Sequence, residues 1–360
     1  MALEQGEISS TQAKYYVIST IMATSILFVP SISTQKALQD AWISVIVAFV
    51  VGLVVAYMSA NLGMKFPNKT VIQFSETLLG KVVGKVIGLI YVLYFFYVCI
   101  FVQRQFGELM SSVFMINTPI WIFIIILTLL SCYVVLNGLE VLTRVNNLIV
   151  FIMIFSITLV LILTVKNIQI FRFLPVFESA VGNILLGSFS PAGWFSESSI
   201  IMMLIPFISD RQNVRKANIS AIIILFIIME AIVIGAIGVM GVNYTMRSNF
   251  PTFSLVREVE FRIDAVFMVI WVSGMLMKLS TFFYAGIIGL SQLLNLREYK
   301  FLVFPVGIII TSLSFISWSN ITQLIEFSSQ TFTPSIIIVN LFLTFFLYVA
   351  SVIHKNNDVE

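Results

Sequence analysis

Apolar residues occupy this chain in long runs that are apolar on every side, and short polar segments separate the runs. A helix needs about 20 apolar residues to cross the ~30 Å hydrocarbon core of a membrane, and a barrel strand needs about 10 in strict alternation. The runs lack that alternation, so they predict ten membrane-spanning helices. We number these spans one to ten along the chain: Tyr15–Ser33, Ala41–Ala60, Val86–Met110, Ile120–Val135, Leu148–Val165, Ile184–Phe207, Ala217–Val242, Ala265–Leu294, Phe301–Trp318 and Phe332–Ile353.

The composition points the same way. Hydrophobic residues make up 59% of the chain and charged residues only 10%, whereas soluble proteins carry about 25% charged residues. These values exclude a soluble enzyme, a nucleic-acid binder and a secreted disulfide scaffold. Cys99 and Cys132 lie inside apolar runs at no metal-ligand spacing. We therefore expect no metal, no cofactor and no catalytic site, and we expect membrane lipid as the surroundings.

Charge predicts the orientation of the chain. Lys and Arg residues between the spans are twice as frequent on the side that carries the N terminus as on the other side. The positive-inside rule then places both termini in the cytoplasm. No connection resembles a linker, so residues 1–360 are expected to form one integral membrane domain. Two connections, Asn61–Lys85 and Asn243–Asp264, are long enough to carry short surface helices.

Two spans carry sequences that favour a helix break: span one has small polar residues ahead of a proline, and span six has a cluster of glycine, serine and proline. Proline removes a backbone donor and glycine permits an unwound backbone. Unwound backbone inside a bilayer persists only where protein or a water-lined cavity satisfies its polar groups, so two breaks favour a binding cavity over two ordinary kinks. The residues concerned are Ala23, Thr24, Ser25 and Pro30 in span one, and Pro191, Ala192, Gly193, Trp194 and Ser196 in span six.

The positions of the breaks indicate a repeat. They fall in the first helix of each five-helix half, residues 11–165 and residues 166–353. Interrupted helices at matching positions of two halves mark the substrate site of inverted-repeat transporters. We therefore predict an all-α membrane protein with a five-plus-five inverted repeat, with helices one and six broken and the break residues binding a small molecule.

Ionisable residues inside spans are costly and are usually functional. Arg104 and Glu108 lie four residues apart in span three, a spacing that allows an ion pair along one helix face. We interpret them as a structural pair, with a gate element as the alternative. Glu230, in the middle of span seven, has no partner on its own helix. It is expected to face the protein interior, a water path or another subunit.

Glu197 and Lys278 are the more specific candidates. Glu197 follows the break of span six, where a carboxylate either caps the new helix start or contacts a ligand ammonium or a proton. Lys278 lies midway along span eight, so it needs a partner carboxylate, carbonyl groups or a cavity. A structural tether is the alternative role. Tyr97 and Phe101 share one face of span three and are the aromatic candidates for the pocket.

Several strings of the chain resemble one family, the B subunits of spore nutrient-germinant receptors, which belong to the amino acid/polyamine/organocation transporter superfamily. The strings are Phe66–Thr70 with Leu79–Lys81 and Gly84–Lys85, Phe106–Glu108, Leu174–Glu178, Pro191–Trp194, Phe250–Thr252, and Arg262–Ala265 leading into Trp271 and Lys278. The resemblance implies a LeuT-like fold and a sensor in the spore inner membrane. Such a sensor binds a small nutrient, usually an amino acid, and works with A and C subunits.

The resemblance also bears on individual residues. In transporters of this fold helices one and eight frame an ion site, and in some sodium-independent relatives a lysine amine is thought to replace the ion, which suggests this role for Lys278. Ala23, Ser25 and Ser196 stand where the family often has glycine, which implies a smaller cavity. A proton-coupled amino acid transporter is the alternative function. A structural subunit without a ligand would leave the two breaks unexplained.

Overall fold

The structure, a computed structural model, describes residues 6–259 and 263–357, and side chains as far as residue 353. Arg262 of the family strings lies outside the described residues. Within these ranges the regular elements are helical. The α-helices are α1 Ser10–Ala37, α2 Ala41–Lys65, α3 Val71–Leu79, α4 Lys81–Leu109, α5 Ile120–Leu136, α6 Gly138–Thr164, α7 Val181–Ser196, α8 Ile201–Leu204, α9 Val214–Met240, α10 Val242–Arg247, α11 Pro251–Arg257, α12 Asp264–Leu293, α13 Lys300–Ile316, α14 Ile321–Phe327, α15 Thr333–Ile337 and α16 Thr344–Asn357.

Every predicted span overlaps one or more of these helices. Six helical stretches of the described chain are long and apolar enough to cross a membrane, and the first of them contains both α1 and α2. Two further apolar helices, α5 and α13, are shorter. The all-helical class is therefore confirmed, while the number of crossings and the inverted repeat stay predictions. Short helices occupy both long connections, α3 in the first and α10 and α11 in the second.

Helix α1 lies at the centre of the fold. Every residue from Tyr16 to Thr34 is buried, as expected for a helix that is apolar on all sides. It packs against α6, α7, α9 and α12. The central position of α1 brings its small polar residues into contact with the other helices that carry candidate site residues.

The break predicted in span one is wrong, because α1 is a continuous helix through Thr24, Ser25 and Pro30. Proline at position 30 removes the donor that would bond the carbonyl of Ile26. The hydroxyl of Thr252 in α11 donates to that same carbonyl. A tertiary hydrogen bond therefore replaces the lost helical one, and the helix continues.

Span six departs from α-helical geometry at a later residue than predicted. Its α-helix runs through Pro191 and Gly193 and ends at Ser196. The lost bond of Pro191 frees the carbonyl of Gly187, which accepts from the hydroxyl of Ser33 at 3.0 Å. The prediction of unwound backbone at Ala192 and Gly193 is therefore wrong, for the same physical reason as in span one.

A tighter turn follows instead. Residues Glu197–Ile200 form a buried 3₁₀ turn between α7 and α8, and we call α7, this turn and α8 together helix six. Side chains bond two carbonyls near the change of helix type. The hydroxyl of Ser196 donates to the carbonyl of Gly193 at 2.6 Å, and the amide of Asn218 donates to the carbonyl of Ser198 at 3.5 Å. Helix six is thus irregular at Glu197, the one ionisable residue of this turn.

The beginning of α1 is joined to the end of helix six. Ile8 pairs with the chain after α8 through backbone bonds of 2.9 Å to the Phe207 carbonyl and 3.0 Å from the Ser209 amide. The carboxylate of Asp210 accepts from the amide and the hydroxyl of Ser10 at 2.6 and 2.5 Å. Burial raises the pKa of Asp210, but these hydrogen bonds outweigh burial and hold the pKa below its usual value. The N-terminal end of α1 is therefore fixed to the segment that follows α8.

Candidate functional site

A buried ion pair joins three helices at the centre of the protein. The ammonium of Lys278 in α12 lies 2.8 Å from Oε2 and 3.1 Å from Oε1 of Glu197 in helix six. The same ammonium donates to the hydroxyl of Thr24 in α1 at 2.8 Å. Only 1% of the Lys278 side chain and 0% of the Glu197 side chain are exposed. The structure thus brings together three of the residues that the sequence singled out.

The position of Lys278 makes a partner obligatory. All residues from Met277 to Gly289 in α12 are buried, so the lysine cannot extend its ammonium to water. An unpaired charge in such surroundings is strongly unfavourable. Contacts with both carboxylate oxygens of Glu197 and with the hydroxyl of Thr24 occupy the three donors of the ammonium.

Such a pair is poor evidence of a purely stabilising role. Replacing a buried ion pair by apolar residues of similar volume is often neutral or stabilising, whereas removing one partner costs about 3–5 kcal/mol. A pair that adds little net stability is retained more readily where its charges serve binding or conformational specificity. We therefore regard Thr24, Glu197 and Lys278 as the core of the site, and we call them the central cluster.

Several residues that lie within three positions of a central-cluster residue in the sequence have buried polar atoms without a hydrogen-bond partner. Buried polar groups in native proteins nearly always have a hydrogen-bond partner, so those that lack one require an explanation. Each of the three helices that carry the cluster supplies at least one of them. The atoms are Ser25 Oγ, Trp194 Nε1, Ser198 Oγ, Ser280 Oγ and Thr281 Oγ1. Each hydroxyl can donate and accept a hydrogen bond, and the indole N–H can donate one.

The remaining candidates of spans one and six take part in helix packing. The carbonyl of Ala23 accepts from the indole of Trp271 at 2.8 Å. Ala192 and Trp194 are buried. A Cβ atom at Gly193 would lie 3.1 Å from Cγ2 of Thr333, so this glycine permits a close approach to α15. Its role in the structure is contact between helices.

The two aromatic candidates lie elsewhere. The ring of Phe101 stacks on Phe332 with 3.8 Å between centroids, and Tyr97 lies 5.3 Å from the same ring. Phe332 belongs to the tenth predicted span. Tyr97 also lines a groove of about 360 Å³ together with Phe327. The ring contacts of Tyr97 and Phe101 are therefore with Trp318, Phe327 and Phe332 and not with the central cluster.

The other ionisable candidates are also separate from the cluster. Arg104 and Glu108 form an ion pair of 2.7 Å within α4, and Arg104 also donates to the carbonyl of Phe315 at 3.0 Å. Glu230 lies in α9, where one of its carboxylate oxygens is buried without a partner. The structure gives it no contact with Glu197 or Lys278.

Comparison with known sequences assigns the family. The profile of a family described as spore germination protein matches residues 7–320. The chain belongs to that family. Similar relatives in Bacillus subtilis (strain 168) are spore germination protein KB, 29% identical and aligned over 89% of this chain and 88% of the relative, and spore germination protein YndE, 26% identical over 80% and 81%. These matches confirm the resemblance drawn from the sequence strings.

The fold of this spore germination protein also matches a solved structure, MhsT in complex with L-phenylalanine. The TM-score is 0.70 over 94% of this chain and 90% of MhsT, at 15% sequence identity. The match confirms the LeuT-like fold. Neither the family nor this transporter fold is an enzyme class.

Sequence reasoning missed Asn340 of this spore germination protein, which contacts helix six. Asn340 is fully buried in the tenth predicted span. Its side-chain oxygen accepts from the hydroxyl of Ser199 at 2.7 Å, and its amide donates to the hydroxyl of Tyr94 at 2.7 Å. The signal was present, because an amide in the middle of an apolar span commonly bonds across helices.

Proposed function

We propose that this chain is the membrane-embedded subunit of a spore germinant receptor, with both termini in the cytoplasm and the spore inner membrane as its location. It binds a small nutrient, an amino acid, at the central cluster and signals to the A and C subunits. The observation that carries this proposal is the buried contact of Lys278 with Glu197 and Thr24, which joins α1, helix six and α12.

An amino acid carries the same two charges as the ion pair. Its carboxylate can replace Glu197 at the ammonium of Lys278, and its ammonium can replace Lys278 at the carboxylate of Glu197. Each buried charge then keeps a partner of opposite sign, so the exchange avoids the cost of an unpaired charge. A solved neighbour with the same fold is a complex with L-phenylalanine, which supports a ligand of this class.

The exchange also supplies a signal. A ligand shifts a conformational equilibrium only through different affinities for the two states. In the ligand-free state Lys278 holds Glu197 and Thr24 together. A nutrient between Lys278 and Glu197 lengthens that connection and changes how α1, helix six and α12 pack. The altered packing is the state that partner subunits detect.

The ammonium of Lys278 bonds directly to Thr24 of α1. Because it supplies a positive charge between α1 and α12, no metal cation is needed there. We therefore expect nutrient binding that does not depend on sodium. Steep sodium dependence would contradict this role of Lys278.

A proton-coupled amino acid transporter is the second candidate, and the transporter fold favours it. Purified protein in liposomes distinguishes the two functions when it is incubated with radiolabelled L-amino acids, one at a time. We expect saturable binding without accumulation, both in sodium and in choline buffer. Accumulation driven by an inward pH gradient would favour the transporter. Absence of binding for every amino acid, in protein that folds correctly, would contradict both functions.

A further inference from the structure

The tenth predicted span belongs to a helical stretch that contains two π-helical turns within its length, whereas the other π-helical stretch of the described residues, Met110–Phe114, follows the end of α4. The helical structure extends beyond the predicted bounds Phe332–Ile353 at both ends, and from here span ten means Ile321–Asn357, which contains α14, α15 and α16. Two π-helical turns interrupt it, Ser328–Phe332 and Ile338–Leu343. Such wide turns are rare and occur frequently at functional sites.

The first wide turn contacts α7. The hydroxyl of Thr333 donates to the carbonyl of Ser328 at 2.8 Å, five residues earlier. It also lies 3.3 Å from the hydroxyl of Ser190 in helix six. Gly193 permits this approach, since a Cβ atom there would lie 3.1 Å from Thr333. The wide turn therefore places a threonine against helix six.

The second wide turn contacts the irregular part of helix six. Asn340 lies within it, between Ser199 on one side and Tyr94 on the other, with hydrogen bonds of 2.7 Å to each. Ser199 belongs to the same 3₁₀ turn as Glu197 and follows it by two residues. One short chain of hydrogen bonds thus connects the turn that holds the ion pair to span ten and to α4.

We propose that Asn340 is a positioning residue that couples the central cluster to span ten. The inference rests on the proposed function, because it assigns the element that responds when Glu197 changes its partner. Movement of the 3₁₀ turn displaces the hydroxyl of Ser199, and Asn340 passes the displacement to the second wide turn. A π-helical turn holds one residue more than an α-helical turn, so this part of span ten has an alternative winding available.

The test needs no nutrient, so its outcome is independent of whether the nutrient has been identified. The double variant Glu197→Gln/Lys278→Met removes both charges of the cluster and serves as the perturbation. Hydrogen exchange of the amides of residues 338–343 is measured in lipid nanodiscs by mass spectrometry. We expect the perturbation to change their exchange rates by about fivefold, the lower end of ordinary coupling between two sites.

The coupling variant is Ser199→Ala, which removes only the bond to Asn340. In this background the perturbation should leave exchange at residues 338–343 unchanged. Asn340→Leu provides a second variant with the same expectation. The matched control is Thr344→Val, also in span ten, which removes the 3.2 Å contact with Tyr91 of α4. In this background the perturbation should still change exchange at residues 338–343 in full.

Two results would overturn the proposal. One is an equal change at residues 338–343 with and without the Ser199 hydroxyl. The other is no change at these residues in any background, while exchange around Thr24 in α1 responds to the perturbation. A failure of the liposome binding experiment, in contrast, would contradict the nutrient site and leave this measurement unaffected.

Discussion

Two buried ion pairs within the described part of the chain differ in how they are built. Arg104 and Glu108 lie four residues apart on α4, with side-chain exposures of 5% and 11%. Glu197 and Lys278 lie 81 residues apart in the chain, with side-chain exposures of 0% and 1%. We call the first the local pair and the second the central pair.

The two arrangements allow different functions. The geometry of the local pair is set by the helical spacing of α4, and one further bond, from Arg104 to the carbonyl of Phe315, connects it to α13. The members of the central pair lie on α12 and helix six, and Thr24 adds α1. Whatever separates Glu197 from Lys278 therefore changes the packing of three helices. Of these two pairs, the central pair is the one that the proposed nutrient site uses.

The largest effect is expected when one member of the central pair is removed. Glu197→Gln or Lys278→Met leaves a buried charge unpaired and should lower the free energy of unfolding by about 3–5 kcal/mol. The double variant Glu197→Gln/Lys278→Met removes both charges and should recover most of that loss. The measurement is SDS denaturation in mixed micelles. A double variant as unstable as the worse single variant would contradict a mutual pairing.

The local pair should give a smaller loss and no functional change. Arg104→Met removes the bonds to Glu108 and to the carbonyl of Phe315, which should cost about 2–3 kcal/mol because the carboxylate is left partly buried. The nutrient concentration for half-maximal germination should not change once abundance is matched. A shift of that concentration would assign the local pair to the gate.

A neighbouring pair of hydroxyls in α1 sharpens the same contrast. Thr24→Val removes a hydrogen bond to the Lys278 ammonium and should lower the free energy of unfolding by about 1.5 kcal/mol. Ser25→Ala is the matched control, because the buried Ser25 hydroxyl has no partner. Its stability should equal or exceed that of the wild type. Equal losses for the two variants would contradict the specific role of Thr24.

The smallest effect is expected at an exposed pair with the same spacing as the local pair. Arg144 and Glu140 form an ion pair in α6 with side-chain exposures of 69% and 45%. Exposed pairs contribute little, so Glu140→Gln should change the free energy of unfolding by less than about 0.5 kcal/mol. A loss as large as that of Arg104→Met would show that burial is not what separates these pairs.

The sequence was sufficient wherever the structure depends on local spacing. Apolar runs gave the helices, and the four-residue spacing gave the Arg104–Glu108 pair. The isolation of Lys278 within its span indicated that a partner carboxylate was needed. Which carboxylate it was depended on how the tertiary fold brings α12 within side-chain reach of helix six, which no local pattern encodes.

The same limit explains the wrong helix breaks. Pro30 and Pro191 each free one carbonyl, and a sequence pattern cannot show what bonds it. Thr252 is 226 residues away from the carbonyl that it bonds, and Ser33 is 154 residues away from its own partner. Tertiary hydroxyls therefore preserve both helices at positions where local rules predict unwinding.

In the proposed function the nutrient binds at the charges of Glu197 and Lys278. The most direct measurement is equilibrium binding of the amino acid identified in the liposome experiment to wild type, Glu197→Gln/Lys278→Met and Arg104→Met. Loss of a charge-assisted hydrogen bond costs about 1.5–3 kcal/mol, so the double variant should raise Kd by about tenfold or more. Arg104→Met should bind like the wild type. Unchanged affinity in a correctly folded double variant would contradict the account.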